Sequence, residues 1–319
     1  MIHRFGRWSL VLVFILFLTS CARIGPNFSP PTARVSANWL EGGDPHLKTK
    51  PEIIRNWWQS FNDPVLDRLV DRAFQENLSL RMAGLRVLEA RARLAIAVGG
   101  LYPQNQQAFG SFQYNRVSDG APTAAFSNNF SYRQIEVGLL AGWEIDFWGK
   151  FRRAIESADA GLWAEVADYE DVLVSLTADV ANAYILIRTL EKRLGLAVQN
   201  VEIQKESLKI AEARFQYGKV SQLDVEQAKT ILNNTLAIIP VLKTQWQQAR
   251  NALSLLLGLP PGDLSEFLAG PGDIPVSPPE IVVGIPNDLL RRRPDIRRVE
   301  WQAAAQCAQI GVAKADYYP

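Results

Sequence analysis

The sequence predicts a mainly helical protein that also carries a transmembrane β-hairpin. Three observations support this fold class: a stretch of alternating side chains up to Phe147, a proline-free stretch from Lys150 to Gln216, and a short apolar leader that ends at Cys21. The chain has 319 residues, a formal net charge of +1 and 48% hydrophobic residues, which is typical of a folded protein. A charge this close to zero gives no reason to expect a nucleic-acid partner.

The second predicted strand, residues 131–147, has one apolar face and one polar face. The apolar face carries Ile135, Val137, Leu139, Ala141, Trp143, Ile145 and Phe147. The opposite face carries Gln134, Glu136, Gly138, Gly142, Glu144 and Asp146, and Leu140 is the exception. Alternation with a period of two is typical of a membrane β-barrel strand, which turns its apolar side to lipid. We therefore predict that the four side chains facing the lumen are those of Gln134, Glu136, Glu144 and Asp146.

The first predicted strand, residues 104–117, alternates in the same way apart from Phe109, and a polar loop joins it to the second. The alternative for this region is an edge strand of a soluble sandwich followed by an ordinary helix. In the membrane interpretation, the aromatic rings of Trp143, Phe147 and Trp148 lie at the membrane interface.

Three cations follow these aromatic residues, at Lys150, Arg152 and Arg153, where they can meet lipid phosphates. Positive charge is unfavourable at a helix N-terminus, so we expect another group to compensate there.

Residues 1–20 are predicted to be a signal peptide, because Arg4 and Arg7 precede an apolar run too short to cross a bilayer. The four residues ending at Cys21 resemble a bacterial lipobox, which implies lipidation (palmitate among the acyl groups) of that cysteine. A plain signal peptide with an incidental cysteine is the alternative. Ala22 stands where an aspartate would argue against sorting to the outer membrane. Lipidation of Cys21 leaves Cys307 without an internal disulfide partner.

Residues 21–56 are rich in proline and glycine and predict an extended tether. A first repeat, residues 57–258, follows it. Its predicted elements are helices 64–77 and 79–101, strands 104–117 and 131–147, and long helices 150–216 and 222–257. Residues 259–286 are predicted to be a linker, and residues 287–319 the start of a second repeat.

The helix 150–216 carries apolar residues at alternating steps of four and three, which predicts coiled packing against neighbouring helices. The seam consists of Leu162, Val166, Tyr169, Leu173, Leu176, Val180, Ala183, Ile187, Leu190 and Leu194. At 1.5 Å per residue this helix is about 100 Å long. Gly218 can end it in a left-handed conformation, and Ser221 can cap the next helix.

The repeat rests on the tail of the chain, where Tyr318-Pro319 echoes Tyr102-Pro103 at an offset of 216 residues. The second copy stops where its strand is due, so we expect a longer protein with a second hairpin. One hairpin cannot close in lipid, since its edge groups stay unpaired. Several chains are therefore expected to share one barrel, and we expect that these 319 residues alone form no stable channel.

At this point the residues resemble the outer membrane factors of tripartite efflux systems, which are TolC-like, and more closely the NodT-type lipoproteins. The matching stretches are 21–28, 57–66, 143–153, 214–224, 255–262 and 285–315. The resemblance implies a homotrimer with a shared barrel in the outer membrane above a long α-helical barrel in the periplasm. It also implies export that is coupled to a periplasmic adaptor protein and an inner-membrane efflux pump. The second hairpin and the helices of the family's periplasmic gate are missing from these residues.

The turn between the long helices is the predicted periplasmic tip and adaptor contact. Its residues are Arg214, Tyr217, Gly218, Lys219, Val220, Ser221 and Asp224. Lys219 and Val220 are predicted to project from the apex, and the resemblance implies that Asp224 lines the narrow entrance.

Other functions are disfavoured by the residues. His3 and His46 are the two histidines, and the sequence shows no Ser/His/Asp set, phosphate loop or metal-ligand spacing, so we predict neither an enzyme nor a cofactor. Arg291–Arg293 is read as a solvated helix entry before Pro294, not as a nucleic-acid site. The remaining alternative is a periplasmic adaptor lipoprotein, which would place small soluble β domains beside its helical hairpin.

Overall fold

The structure is a computed structural model that describes residues 23–32, 35, 44, 47–49, 56–116, 118, 120, 122, 131–270, 272–276, 281–283 and 290–319. Cys21 and the predicted signal peptide lie outside these residues. The chain forms two compact units. The first combines the described part of Met1–Thr32 with Val87–Glu165 and Arg298–Pro319, and the second combines the described part of Ala33–Arg86 with that of Val166–Arg297.

The described elements follow one another as strand β1 (Leu47–Thr49), a 3₁₀ turn (Trp57–Phe61), helices α1 (Pro64–Glu76) and α2 (Leu78–Gly99), strands β2 (Asn105–Arg116) and β3 (Ser131–Gly142), helices α3 (Lys150–Gln216) and α4 (Gln222–Leu256), strand β4 (Ile281–Val283) and helix α5 (Pro294–Ala315). The predicted mainly helical fold class is confirmed. Helix α3 has the bounds expected from the proline-free stretch.

Strands β2 and β3 form an antiparallel pair in the first unit, with Asn105 opposite Gly142 and Arg116 opposite Ser131. Side chains that face each other across an antiparallel pair share one side of the sheet. One side therefore carries Phe112, Ile135, Val137 and Leu139, each at least 66% exposed, and the middle of the other side carries Gln113, Gln134, Ser111 and Glu136. Phe109, the exception in the first strand, pairs with Gly138, where an added Cβ would come 2.5 Å from its ring. The ring fills the space that the glycine leaves.

Strand β3 ends at Gly142 and not at residue 147 as the alternation predicted. Its partner strand begins at Asn105, and Pro103 before it has no N–H to offer a ladder. The side chain of Gln104 closes the pair instead, accepting from the Glu144 amide at 2.8 Å and donating to the Glu144 carbonyl at 3.1 Å. Residues 143–147 thus follow the strand without belonging to it.

The internal repeat is visible in helices α2 and α5. Both have 22 residues, and they begin and end at one offset, 294 − 78 = 315 − 99 = 216. The turn after each helix repeats the same hydrogen bonds, from Tyr102 to Gly99 in one copy and from Tyr318 to Ala315 in the other. The two helices therefore match in length and in the hydrogen bonds of their exits at the offset that the sequence predicted.

The core of the second unit lies between α1, α3, α4 and the segment after α4. Its fully buried apolar side chains include Val65, Leu66, Val70, Val180, Ile187, Leu253 and Leu257. Pro64 occupies the first turn of α1, as predicted, and the Asp63 carboxylate accepts from the Val65 amide at 2.8 Å. One stretch of α3 is apolar and long enough to cross a membrane by length and composition alone. A core helix has the same properties, and α3 contributes Val180 and Ile187 to this core.

One strand from the predicted tether pairs with one strand from the predicted linker in the second unit. Strand β1 pairs in parallel with β4, with Leu47 opposite Ile281 and Thr49 opposite Val283. Residues 47–49 of the predicted extended tether are therefore paired with another strand, which the sequence analysis did not predict. A three-residue strand is too short to leave a periodic signal, and its partner lies more than 200 residues along the chain.

Candidate functional site

Two regions carry the residues predicted to function, and the first is the junction between β3 and α3 in the first unit. Gln134 and Glu136 lie on the polar side of the hairpin, opposite Gln113 and Ser111. Glu144 is exposed just beyond the strand. Two strands do not enclose a lumen, and the described residues contain no further strand beside this hairpin. The prediction that Gln134, Glu136 and Glu144 face a lumen therefore stays a prediction.

Asp146 has a different role from the one the alternation assigned. Its carboxylate accepts from the amides of Phe151 and Arg152, at 3.2 and 3.0 Å, and from the Arg152 Nε at 3.0 Å. Only 7% of its side chain is exposed, so it caps the start of α3 and does not face a lumen. This carboxylate is the group that compensates the cations at the helix N-terminus.

The three cations expected to meet lipid phosphates all have protein partners. Lys150 pairs with Asp316 at 2.7 Å, and this hydrogen bond raises the pKa of the lysine. Arg152 pairs with Asp146, and Arg153 is 2% exposed. The prediction is wrong for Arg153, because a buried guanidinium cannot reach a headgroup.

Arg153 instead binds the segment that follows the predicted lipidation site. It donates from Nε to the Ile24 carbonyl at 3.1 Å and from Nη2 to the Gly25 carbonyl at 3.1 Å and Asn27 Oδ1 at 2.9 Å. Glu156 accepts the remaining bond at 2.8 Å. The first part of the predicted tether is therefore packed against α3, which sequence analysis missed.

The aromatic residues of the junction divide into two kinds. Trp143 and Phe147 are 58% and 47% exposed, which leaves their rings available to an interface. Trp148 is half-buried, donates to the Pro319 carbonyl at 2.8 Å and packs on the Tyr318 ring at 4.8 Å. The membrane-interface role of the first two residues stays a prediction, whereas Trp148 is chiefly packed against protein.

The second region is the turn between α3 and α4, in the second unit. The Gly218 amide donates to the Phe215 carbonyl and the Lys219 amide to the Arg214 carbonyl, each at 2.9 Å. This pair of bonds is a Schellman motif, which requires a left-handed residue, and Gly218 has a φ of +65°. An added Cβ at Gly218 would meet nothing within 4 Å, so the glycine serves the backbone alone.

A capping box starts α4. The Asp224 carboxylate accepts from the Ser221 amide at 2.8 Å and from its hydroxyl at 2.7 Å, and the Asp224 amide donates to the Ser221 oxygen. These bonds from Ser221 hold the pKa of the Asp224 carboxyl below its usual range. The Asp224 carboxylate therefore fixes the start of α4. Its place at the narrow periplasmic entrance, which the resemblance implies, stays a prediction.

The surface of the turn is mostly exposed. Arg214, Tyr217 and Lys219 are exposed, and Tyr217 is 80% so. Val220 is half-buried, which corrects the expectation that it projects freely from the apex. Beside the turn, a groove of about 360 Å³ lies on α4, lined by Leu223, Glu226, Gln227, Thr230 and Ile231.

A buried polar network in the second unit was not predicted. The Tyr184 hydroxyl donates to the Asp63 carboxylate at 2.7 Å, and burial raises the pKa of this tyrosine to about 12. Arg188 donates to the Tyr184 oxygen at 3.3 Å and to the Leu268 carbonyl at 2.7 Å. Glu191 joins the network by accepting from Arg188 at 2.9 Å. The available signal was the spacing of Tyr184, Arg188 and Glu191 on one face of an apolar helix.

Comparison with known proteins gives one consistent result. A family model described as outer membrane efflux protein matches residues 69–259. Nodulation protein T of Rhizobium leguminosarum bv. trifolii is 31% identical over 317 residues, covering 99% of this chain and 66% of that protein. The pyoverdine export outer membrane protein OpmQ of Pseudomonas putida is 32% identical over 295 residues, covering 91% of this chain and 62% of OpmQ.

Solved structures agree with these sequence relatives. The outer-membrane channel OprN superposes with a TM-score of 0.84 at 32% identity, covering 93% of this chain and 65% of OprN. The Campylobacter jejuni CmeC outer membrane channel superposes with a TM-score of 0.78 at 25% identity, covering 93% and 63%. The chain thus spans slightly less than two thirds of the length of these relatives, 62% to 66% for the two curated proteins.

Proposed function

Because the chain belongs to the outer membrane efflux protein family, we propose that it contributes the outer-membrane exit duct of a tripartite efflux system. The resemblance stated from the sequence, the TolC-like fold class and the outer-membrane location are confirmed by the comparisons. The family is one of channels and not of enzymes. In this proposal the duct is a passive pore, and an inner-membrane pump supplies the energy through a periplasmic adaptor.

The observation that carries the proposal is the exposed apolar side of the β2–β3 hairpin, which leads within eight residues into α3. Leu139 is 88% exposed and Val137 81%, which is unfavourable in water and favourable in a bilayer. The opposite side, with Gln134 and Glu136, suits an aqueous lumen.

Unpaired strand edges on the hairpin and exposed apolar faces on the long helices support a homotrimer. The β2–β3 sheet has two strands among the described residues, so each strand keeps one unpaired edge. Such edges are not tolerated in lipid, and barrels need at least about eight strands. Several copies sharing one barrel satisfy both conditions.

A second apolar seam supports contacts between copies along the helices. Leu196, Ile203 and Ile210 recur at seven-residue steps on α3 and are 54%, 63% and 48% exposed. Ile231 and Ile238 repeat the same step on α4, at 50% and 49%. Heptad spacing on an uncovered face is typical of helices that pack against further helices. We assign these faces to neighbouring copies in an α-helical barrel.

We propose the turn between α3 and α4 as the contact for the adaptor. It closes the end of α3 that is farther along the chain from the hairpin, and the side chains of Tyr217 and Lys219 are exposed there, whereas their backbone amides belong to the hydrogen bonds of the turn. Gly218, Ser221 and Asp224 shape the turn and hold it rigid for docking.

Export assays in cells that carry the full-length protein test the docking step. Lys219→Glu together with Tyr217→Ala is expected to abolish export while the yield and heat-modifiable migration of the oligomer stay unchanged. Lys209→Glu is the matched control, because this lysine is exposed and lies on α3 about two helical turns before the helix ends. Unaltered export by the double variant would show that the adaptor does not bind this turn.

Lipidation of Cys21 is part of the proposal, and radiolabelled palmitate tests it. Incorporation is expected in the unaltered protein and absent in Cys21→Ser. Equal labelling of the two proteins would refute lipidation at this residue. Migration as a heat-modifiable outer-membrane oligomer distinguishes the duct from the alternative, a periplasmic adaptor lipoprotein.

A further inference from the structure

Residues Arg23–Asn27, here called the strap, lie in sequence before the family match and are bound closely by two helices. The Ile24 amide donates to the Trp148 carbonyl at 3.1 Å, at the junction of β3 and α3. Arg153 on α3 then donates to the Ile24 carbonyl, the Gly25 carbonyl and the Asn27 side chain. Three residues of the strap, Ile24, Gly25 and Asn27, are therefore hydrogen-bonded to the junction and to the first turn of α3.

The strap also packs on α5, where the backbone of Gly25 lies directly against the backbone of Gly311. Gly25 has a φ of +104°, and a Cβ there would come 2.5 Å from the Gly311 Cα. A Cβ at Gly311 would in turn lie 2.7 Å from the Ile24 carbonyl and 2.8 Å from the Arg153 side chain. Both positions therefore need glycine for this packing, and the strap is fixed between α3 and α5.

The burial of the Arg153 guanidinium indicates that the strap and α3 stabilise each other. A buried guanidinium is strongly destabilising unless its N–H groups are bonded and its charge is paired. Here the carbonyls of the strap supply the acceptors, and Glu156 supplies the charge at 2.8 Å. Loss of the strap would leave Arg153 without most of these partners, so strap and helix stabilise each other.

We propose that the strap is a positioning device for the lipid anchor, a proposal that rests on the lipidation of Cys21 proposed above. Two residues in sequence lead from Cys21 to Arg23, at most about 7 Å of extended chain. The Arg23 backbone lies against Gly149, where a Cβ would come 3.0 Å from the Arg23 Cα. The acyl chains are thereby kept beside the base of the hairpin, so that anchor and strands enter the membrane together.

A matched pair of insertions separates the strap from the anchor without changing its contacts. Gly-Ser-Gly-Ser placed between Ala22 and Arg23 lengthens the connection from two residues to six in the full-length protein. The same four residues placed between Pro31 and Thr32 leave the connection unchanged. Effective concentration falls as about the −3/2 power of linker length, so the first insertion is expected to slow appearance of the heat-modifiable oligomer about fivefold. The second insertion is expected to match the unaltered protein.

Release of the strap is the complementary test. Arg153→Met keeps an unbranched side chain about as long as the aliphatic part of arginine and removes the guanidinium with its hydrogen bonds, so exchange of the Ile24 amide is expected to accelerate at least about tenfold, with a similarly slowed assembly. Arg193→Met, at an exposed arginine farther along α3, is the matched control and is expected to change neither rate.

Each outcome of the insertion test decides the proposal. A slower assembly for the first insertion alone, with palmitate uptake intact, supports it. Equal assembly rates for the two insertions, again with palmitate uptake intact, overturn the positioning role and leave lipidation standing. A lack of palmitate in the unaltered protein overturns both lipidation and the role of the strap.

Discussion

Replacement of Gly218 tests the turn between the long helices most directly. Its φ of +65° is left-handed, and an added Cβ would meet nothing within 4 Å. The cost of Gly218→Ala is therefore purely a backbone cost, about 1–2 kcal/mol for a residue with a Cβ in this conformation. Asparagine tolerates the left-handed region better than alanine, and valine tolerates it worse. We expect the order of stability to be Gly, Asn, Ala, Val.

Gly195 in the interior of α3 provides a control with the opposite sign. An added Cβ there also meets nothing within 4 Å, but this glycine has an ordinary helical backbone. Gly195→Ala is therefore expected to stabilise the helix by up to about 1 kcal/mol, since alanine is the better helix former. The same chemical change thus has opposite predicted effects at two exposed positions.

Hydrogen exchange of the Lys219 amide measures the effect at the turn, because this amide donates to the Arg214 carbonyl in the motif. A loss of about 1.4 kcal/mol would accelerate its exchange tenfold in Gly218→Ala, and Gly195→Ala would leave it unchanged. Export should decline along the same series if the shape of the turn matters for docking. Equal exchange in Gly218→Val and the unaltered protein would refute the requirement for a left-handed residue.

Three further changes test other contacts. Tyr184→Phe removes a buried hydrogen bond to the Asp63 carboxylate and should lower the free energy of unfolding by about 1.5–3 kcal/mol in chemical denaturation, whereas Phe at the exposed Tyr102 should change little. Asp146→Ala should destabilise the start of α3 by about 1 kcal/mol, seen as faster exchange of the Phe151 and Arg152 amides; no change there would exclude the cap. Because the folded-state pKa of Asp224 lies below its ordinary value of 3.8, its stabilising effect on the turn is present above about pH 4 and is lost as the pH falls through the folded pKa. Protection of the turn amides, measured as their exchange relative to the intrinsic rate of an unstructured peptide at the same pH, should therefore fall on acidification, and Asp224→Asn should remove that dependence.

Charge at the start of α3 shows where sequence reasoning stopped. The unfavourable position of Lys150 and Arg152 predicted that some anion would compensate, and Asp146 does so. The alternation had nevertheless placed Asp146 in a lumen, because it extended β3 by five residues. The end of β3 depends on where its partner begins, and a pattern within one strand carries no information about the partner.

Buried polar residues show the same limit. Tyr184 and Asp63 are 121 residues apart in sequence, and Arg153 and Asn27 are 126 apart, yet each pair forms a hydrogen bond of 2.9 Å or less. An arginine near the start of a helix usually points to solvent, so lipid phosphate was the simplest partner for Arg153. The carbonyls that bury it belong to a proline- and glycine-containing segment that has no periodicity.

By itself the sequence determined the features that depend on neighbours a few residues away. The period of two defined the faces of the hairpin, the seam of fours and threes defined α3, and Gly218 with Ser221 defined the turn, because each is governed by local backbone geometry. Only the tertiary structure decided the partners of Arg153, the capping role of Asp146 and the network around Tyr184. Each of these is a contact of specific atoms, and for Arg153 and Tyr184 folding brings those atoms together across more than a hundred residues.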